Sequence, residues 1–286
     1  MAAGYQSYTC EMPDRPSKPL SRTRPVALVT GGAKRLGQAI ALRLAEDGWQ
    51  LAIGHRASAT EAQALARQIT DSGGAATAVA LDLDTLGDDA ALDAWWNDLE
   101  TQLGAVGLLV NNAARFEFDL ANTATPASLS RHLTTNLMAP IRLTQALHRA
   151  CGRAATAKQA HGVMPMAAVI NLLDQKLVNP NPDFFSYTVS KAALEHATRL
   201  MAQALAPALR VLGVSPGISL PSADQTQAEF ERAHQETPLG QSSTAQEVAE
   251  AVAWLAQARA VTGTTVLVDG GQHLSPSARD VMFTTR

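Results

Sequence analysis

The chain reads as one α/β domain built on a doubly wound parallel sheet of about seven strands flanked by helices. Two patterns predict this. Seven short apolar runs recur from residue 25 onward, and stretches of helical period separate them. A glycine-rich stretch, TGGAKRLG at 30–37, directly follows the first run and opens the first helical pattern, the Rossmann-type arrangement of strand, tight turn and helix.

The elements follow in order. PVALVT (25–30) precedes RLGQAIALRLAEDG, QLAIG (50–54) precedes SATEAQALARQITDSG, and ATAVALD (76–82) precedes a helix carrying Trp95 and Trp96. GLLVNN (107–112) and AAVINLLD (167–174) are each followed by a helix, and RVLGVSP (210–216) and TTVLVDGG (264–271) close the series. Apolar runs of this length, bounded by turn residues, suit strands buried on both faces. Segments 113–127 and 218–243 are less regular and follow strand ends, where open α/β sheets bind ligands, so they are expected to form a pocket wall and a lid. Ordinary surface loops are the alternative.

Composition narrows the function. With 286 residues, 46% hydrophobic and 17% charged, the chain can bury a sizeable core and is too apolar to be disordered. A net charge of −3 argues against nucleic acid or an anionic membrane as the main partner. Cys10 and Cys151 lack metal-like spacing, and no run approaches the roughly 18 apolar residues of a membrane span. No metal and a reducing cytoplasm are the expectations. Residues 1–24 are polar, contain proline and show no apolar period, so a flexible arm ahead of a domain at 25–286 is expected.

Helix-start amides behind Gly31 and Gly37 can face a phosphate. Enzymes preferring NAD usually place an acid roughly 20 residues further on, to bind the ribose hydroxyls. Here the second strand runs into Gly54, His55, Arg56, Ala57 and Ser58 instead. A carboxylate would repel a 2′-phosphate, whereas arginine can donate a forked pair of hydrogen bonds to one. NADPH is therefore the expected cofactor, with Lys34, His55, Arg56 and Ser58 around the phosphate. Asp82, with Leu83 beside the ring, is placed to receive the adenine amino group, and Asp84 is a competing choice. Either could cap the next helix.

In YTVSK (187–191), Tyr187 and Lys191 lie one helical turn apart, and Tyr187 is the only tyrosine beyond residue 8. A lysine near a phenol lowers its pKa and prepares it to give up a proton. Together with TG at 30–31, Gly37, Asp82, NNAA at 111–114, Asn136, PG at 216–217 and TGTTVLVDGG at 262–271, this set resembles the short-chain dehydrogenase/reductases in family order. The resemblance spans about residues 25–274. It implies catalytic roles for Asn136, Tyr187 and Lys191, cofactor contacts at Leu36, Asn112, Ala113, Lys191, Pro216, Gly217 and Ser219, and a homotetramer built on 128–150, 186–206 and the C-terminal segment.

Three departures narrow the branch. Asp174, thirteen residues before Tyr187, stands where the family usually has a serine that donates to a substrate carbonyl. An ionised carboxylate cannot donate and would repel a developing oxyanion, but a carboxyl suits reduction of a C=N bond, whose nitrogen must collect a proton. Arg35 replaces the middle glycine of the nucleotide loop, and Phe116 follows NNA. In these features the chain is similar to pteridine reductases, including dihydromonapterin reductases. That similarity implies that Arg35 spans the pyrophosphate and the pterin, and that Phe116 stacks on the pterin ring. Ala114, where these enzymes can offer a serine, and Arg115 depart from the pattern. The expected activity is NADPH-dependent reduction of a 7,8-dihydropteridine. The alternatives are a carbonyl reductase of the same family and a non-catalytic NADPH-binding protein.

Overall fold

A computed structural model describes residues 24–157, 166–221 and 226–284. The expected N-terminal arm lies outside these residues apart from Arg24, which donates to the Gly73 carbonyl at 2.8 Å.

Seven parallel strands form one sheet in the order β3-β2-β1-β4-β5-β6-β7. They are β1 (Val26–Val29), β2 (Gln50–His55), β3 (Ala75–Ala80), β4 (Val106–Asn111), β5 (Ala167–Leu172), β6 (Leu209–Pro216) and β7 (Thr265–Val268). The central strands β1 and β5 are buried throughout, whereas the edge strands β3 and β7 are only partly covered. Continuous apolar runs are what a sheet covered on both faces demands.

Helices α1 (Arg35–Glu46) and α2 (Ala59–Asp71) share one face of the sheet with α8 (Ala245–Gln257), around Ile40, Leu44, Leu65 and Val252. The opposite face carries α3 (Asp89–Leu103), α5 (Ala139–Ala157) and α6 (Phe185–Ala204), packed around Trp96, Leu143 and Leu147. The strand order reverses between β1 and β4, so the loops at their C-terminal ends part and leave a crevice.

Three local features differ from the sequence reading. The helical pattern before residue 150 is two helices, α4 (Pro126–Leu133) and α5, joined by a π turn over Thr134–Met138 that contains Asn136. β5 stops at Leu172, so Asp174 lies past the strand and caps a short 3₁₀ turn at Gln175–Leu177. The expected lid at 218–243 contains α7 (Gln227–Gln235), and its later part is packed down, with Thr237, Ser242 and Ser243 buried. Two further helices complete the described order: α8 follows this segment, and α9 (Val281–Thr284) ends it.

Candidate active site

A cavity of about 1020 Å³ opens at the crevice, lined by the glycine loop, the loops after β2, β3, β4, β5 and β6, and the C-terminal segment. Pockets for a single drug-sized ligand run to about 1,000 Å³, so this one can take a cofactor and a small substrate together.

Its nucleotide end is held by backbone. Gly31 adopts φ +59°, and a Cβ on Gly37 would sit 2.2 Å from the Gly31 carbonyl oxygen. Only glycine fits that approach. Asn112 fastens the loop from β1 to the loop after β4 by donating to the Thr30 and Gly31 carbonyls at 2.9 and 3.1 Å. The Thr30 hydroxyl accepts from the backbone N–H groups of Asn112 and Ala113, both at 3.0 Å. Lys34 occupies the cap position of α1, and Arg35 opens the helix at φ +53°, a conformation uncommon for any residue but glycine.

The cations expected at a 2′-phosphate line this end and are engaged by carboxylates. Lys34 Nζ lies 2.5 Å from Glu61, and Arg56 Nη1 lies 2.7 Å from Asp84. His55 and Ser58 line the same wall. Leu81, Leu83 and Asp84 face the cavity from the loop after β3. Asp82 accepts the backbone N–H of Asp84 through Oδ1 at 3.0 Å. Asp84 also receives Arg115 Nη2 at 2.8 Å and the Thr135 hydroxyl at 2.5 Å. Burial pushes the Asp84 carboxyl up, but Thr135, Arg115 and Arg56 outweigh it and hold the group below its usual range.

Arg35 reaches across the cavity and donates to the Pro221 carbonyl at 2.7 Å, tying the glycine loop to the segment after β6. Leu36, Gly37, Pro216, Gly217 and Ser219 also line the cavity, and the Ser219 hydroxyl is 2.7 Å from that of Ser243.

At the chemical end, Tyr187 donates its phenol proton to Asp174 Oδ2 at 2.8 Å. The other carboxylate oxygen accepts the Lys176 backbone N–H at 2.9 Å. Burial, opposed by those two hydrogen bonds, raises the Asp174 pKa, and Asp280 adds to the rise. Burial and then Asp174 push the Tyr187 phenol well above its usual value. The two groups are coupled, and burial raises the pKa of each. The expectation that Lys191 lowers the Tyr187 pKa fails in this arrangement. Lys191 Nζ instead donates to the Leu172 carbonyl at 2.6 Å and lies 5.9 Å from the Tyr187 ring centre. Burial itself brings the Lys191 pKa down to about 8.

Asn136 lies in the π turn, wholly buried. Its Oδ1 accepts the Arg115 N–H at 2.7 Å, and its Nδ2 donates to the Arg115 carbonyl and the Ser190 hydroxyl, both at 2.9 Å. The side chain is fully used in holding the loop after β4 against α6, so it positions the site and does not reach into it.

Aromatic rings line the substrate side. Phe116 is 46% exposed, stacks on Phe184 at 4.1 Å between centres, and meets Tyr187 edge-on at 4.7 Å. Phe184 therefore takes one face of the ring that was expected to stack on a pterin. Phe118 and Phe283 complete the group.

The sequence reading missed several contributors. Asp119 anchors the N-terminus of α6 by accepting the Ser186 N–H and hydroxyl at 2.9 and 2.6 Å. Asp183 binds Arg279 Nε through both oxygens at 3.1 and 2.8 Å, and Lys176 pairs with Asp280 at 3.0 Å. Lys176 stands two residues after Asp174, a local hint. Asp280 gives none, because its contact requires the tail to fold back over the site.

Among the described residues there is no grouping of His, Cys, Asp and Glu suited to a metal ion, and no helix is long and apolar enough to cross a membrane.

Comparison with known proteins agrees with this geometry. Residues 31–273 match a family model described as Enoyl-(Acyl carrier protein) reductase. Pteridine reductase 1 of Leishmania tarentolae is 32% identical over 292 residues, covering 89% of this chain and 98% of that protein. The 3-oxoacyl-[acyl-carrier-protein] reductase FabG of Pseudomonas aeruginosa is 30% identical, covering 87% and 98%. Two solved structures of FolM Alternative dihydrofolate reductase 1, both complexes with NADP, are also similar. That from Brucella canis has 36% identity and a TM-score of 0.80, covering 90% of this chain and 96% of that one, and that from Brucella suis has 38% and 0.79, covering 90% and 98%. Sequence, sheet order and the Asp174–Tyr187 pair lead to one assignment: the chain belongs to the short-chain dehydrogenase/reductase family, on its pteridine reductase-like branch.

Proposed function

We propose that the protein reduces a 7,8-dihydropteridine to its tetrahydro form with NADPH. The observation that carries this reading is the hydrogen bond from Tyr187 to Asp174, a pair whose pKa values are both raised and whose carboxyl stands in place of the usual carbonyl-binding serine.

The cavity wall fits a dinucleotide. Its glycine loop has no room for a Cβ at Gly37, and Gly31, Lys34, Arg35, Leu36, Gly37, Asn112, Ala113, Pro216, Gly217 and Ser219 are the residues that would hold one. Lys34, His55, Arg56 and Ser58 stand where a 2′-phosphate would be met. Such a phosphate would draw Lys34 and Arg56 from Glu61 and Asp84. Held there, NADPH would supply the hydride for the imine carbon. Tyr187 and Asp174 deliver the proton to the imine nitrogen, and Lys191 returns a proton toward Tyr187 from within the site. Phe116 and Phe184 offer a flat apolar wall to the heterocycle. Arg35 borders both halves of the cavity, and its hydrogen bond to Pro221 is the one a pterin carbonyl would compete for.

Similarity to FabG supports carbonyl reduction as the second reading. NADPH oxidation by the purified protein, with a dihydropterin against an acetoacetyl thioester and then with NADH, separates the two. Turnover of the dihydropterin, faster with NADPH, is expected. Turnover of the thioester alone would overturn the proposal. Assembly as a homotetramer belongs to the same reading: Met138, Val189 and Leu200 expose apolar surface beside or on the α5 and α6 faces. Light scattering after size exclusion should give a mass near four chains.

A further inference from the structure

The Lys176 ammonium is a buried charge with no part in the proton transfer just described. It is 2% exposed, pairs with Asp280 Oδ2 at 3.0 Å, and lies 5.3 Å from the centre of the Phe184 ring. The backbone N–H of the same residue holds Asp174. Burying an ammonium is costly unless a counter-charge accompanies it. Here the counter-charge comes from 104 residues further along the chain.

The tail that brings Asp280 is fastened independently. Asp183 accepts the Asp280 N–H at 2.7 Å, Asn179 donates to the Ser275 carbonyl at 2.8 Å, and Phe283 packs on Phe118. Asp280 Oδ1 accepts the Met282 N–H at 3.2 Å, so each of its oxygens has a partner.

We infer that Lys176 and Asp280 are positioning residues that together set the protonation of Asp174, so that docking of the C-terminal segment completes the proton-delivering site. The inference rests on the reading of Asp174 as a proton source. Tyr187 from α6 and the Lys176 N–H from its own 3₁₀ turn contact the Asp174 carboxyl, Lys191 from α6, the Lys176 ammonium and Asp280 from the tail act on it through charge, and Asp183, which holds the Asp280 N–H, is closed by Arg279. Burial is the main cause that raises the Asp174 pKa, Asp280 adds to the rise, and Lys176 opposes it. The two charges act on Asp174 in opposite senses. Losing either one tips the balance, in opposite directions.

Opposite shifts are the signature to measure, because a merely structural role would not produce them. Three full-length variants, Asp280→Asn, Lys176→Met and the double substitution, are labelled with ¹³C at aspartate carboxyls. The Asp174 resonance is assigned by its loss in Asp174→Asn and followed against pH. Asp280→Asn should move the titration to lower pH and Lys176→Met to higher pH, each by about one unit, the size expected of one nearby charge. The double variant should return close to the unsubstituted position.

Single shifts of the same sign, or none, would overturn the inference, as would a double variant displaced as far as the singles. If Asp280→Asn does not fold, Lys176→Met decides alone, since Asp280 keeps its Met282 N–H partner there. The resonance reports without turnover, which separates the two possible failures. Absent dihydropterin reduction with the opposite shifts intact would sink the substrate reading only, and reduction with an unmoved resonance would sink this inference only.

Discussion

At its nucleotide end the cavity is made of backbone drawn close by glycines, and Lys34 and Arg56 lie near water, each held by a carboxylate. At its chemical end the wall is made of side chains from four distant parts of the chain, and its two lysines are buried. Lys34 and Glu61 are about half exposed, whereas Lys176 and Lys191 are almost wholly enclosed. Charges near water can exchange partners at little cost, as a site that admits and releases a large anion requires. Enclosed charges keep their partners and fix proton positions.

The comparison breaks most visibly at the chemical end. Asp174→Asn and Tyr187→Phe should each lower kcat by about 10²–10⁴-fold while NADPH affinity, read by fluorescence titration, holds. A full-speed Asp174→Asn enzyme would mean that the carboxyl has no part in proton delivery.

Gly37→Ala tests the other end. Its methyl would collide with the Gly31 carbonyl oxygen, so a loss of about 1–3 kcal/mol in denaturant stability is expected, with weakened nucleotide binding. Asp174→Asn should leave nucleotide binding intact, so the two variants sharpen the division.

A smaller effect is expected from Arg56→Ala. Its guanidinium is more than half exposed, so solvent screening limits the loss in NADPH affinity to about 1 kcal/mol, roughly fivefold, with NADH binding unchanged. Equal losses for both cofactors would remove Arg56 from the 2′-phosphate.

The enclosed end should also show a gentler signature in pH. Burial brings the Lys191 pKa in the folded chain down to about 8, from the ordinary lysine value of 10.5. Between those values the unfolded chain carries a proton that the folded chain has shed, so stability from this group is lowest below the window and rises through it. Thermal melts from pH 8 to 10 should show that rise, and Lys191→Met should flatten it.

The same contrast explains what could be read in the residues. Gly31, Gly37 and Asn112 were legible because a glycine turn is a local matter of φ and close approach. Tyr187 and Lys191 were legible by helical spacing, and Asp174 by its distance from Tyr187. The effect of Lys191 on Tyr187 was not, since spacing puts the two on one face but does not say that the ammonium will turn to the Leu172 carbonyl. Asp82 and Asp84 could not be told apart by a pattern in which both follow β3. Their roles separate only when Thr135 in the π turn and Arg115 after β4 arrive at Asp84. Phe184 and Phe283 were invisible as site residues because a ring stack over 99 positions of sequence has no period.

The tail also decides how the protein should be handled. Phe283 stands three residues from Arg286 and packs against Phe184, one neighbour away from the Phe116 and Tyr187 rings. An affinity tag fused after Arg286 would hang its weight and charge on the wall that holds Asp280 against Lys176. Purification handles, surface tethers and fluorescent reporters belong at the other terminus, and a C-terminally tagged preparation with a displaced pH optimum would be reporting on its handle.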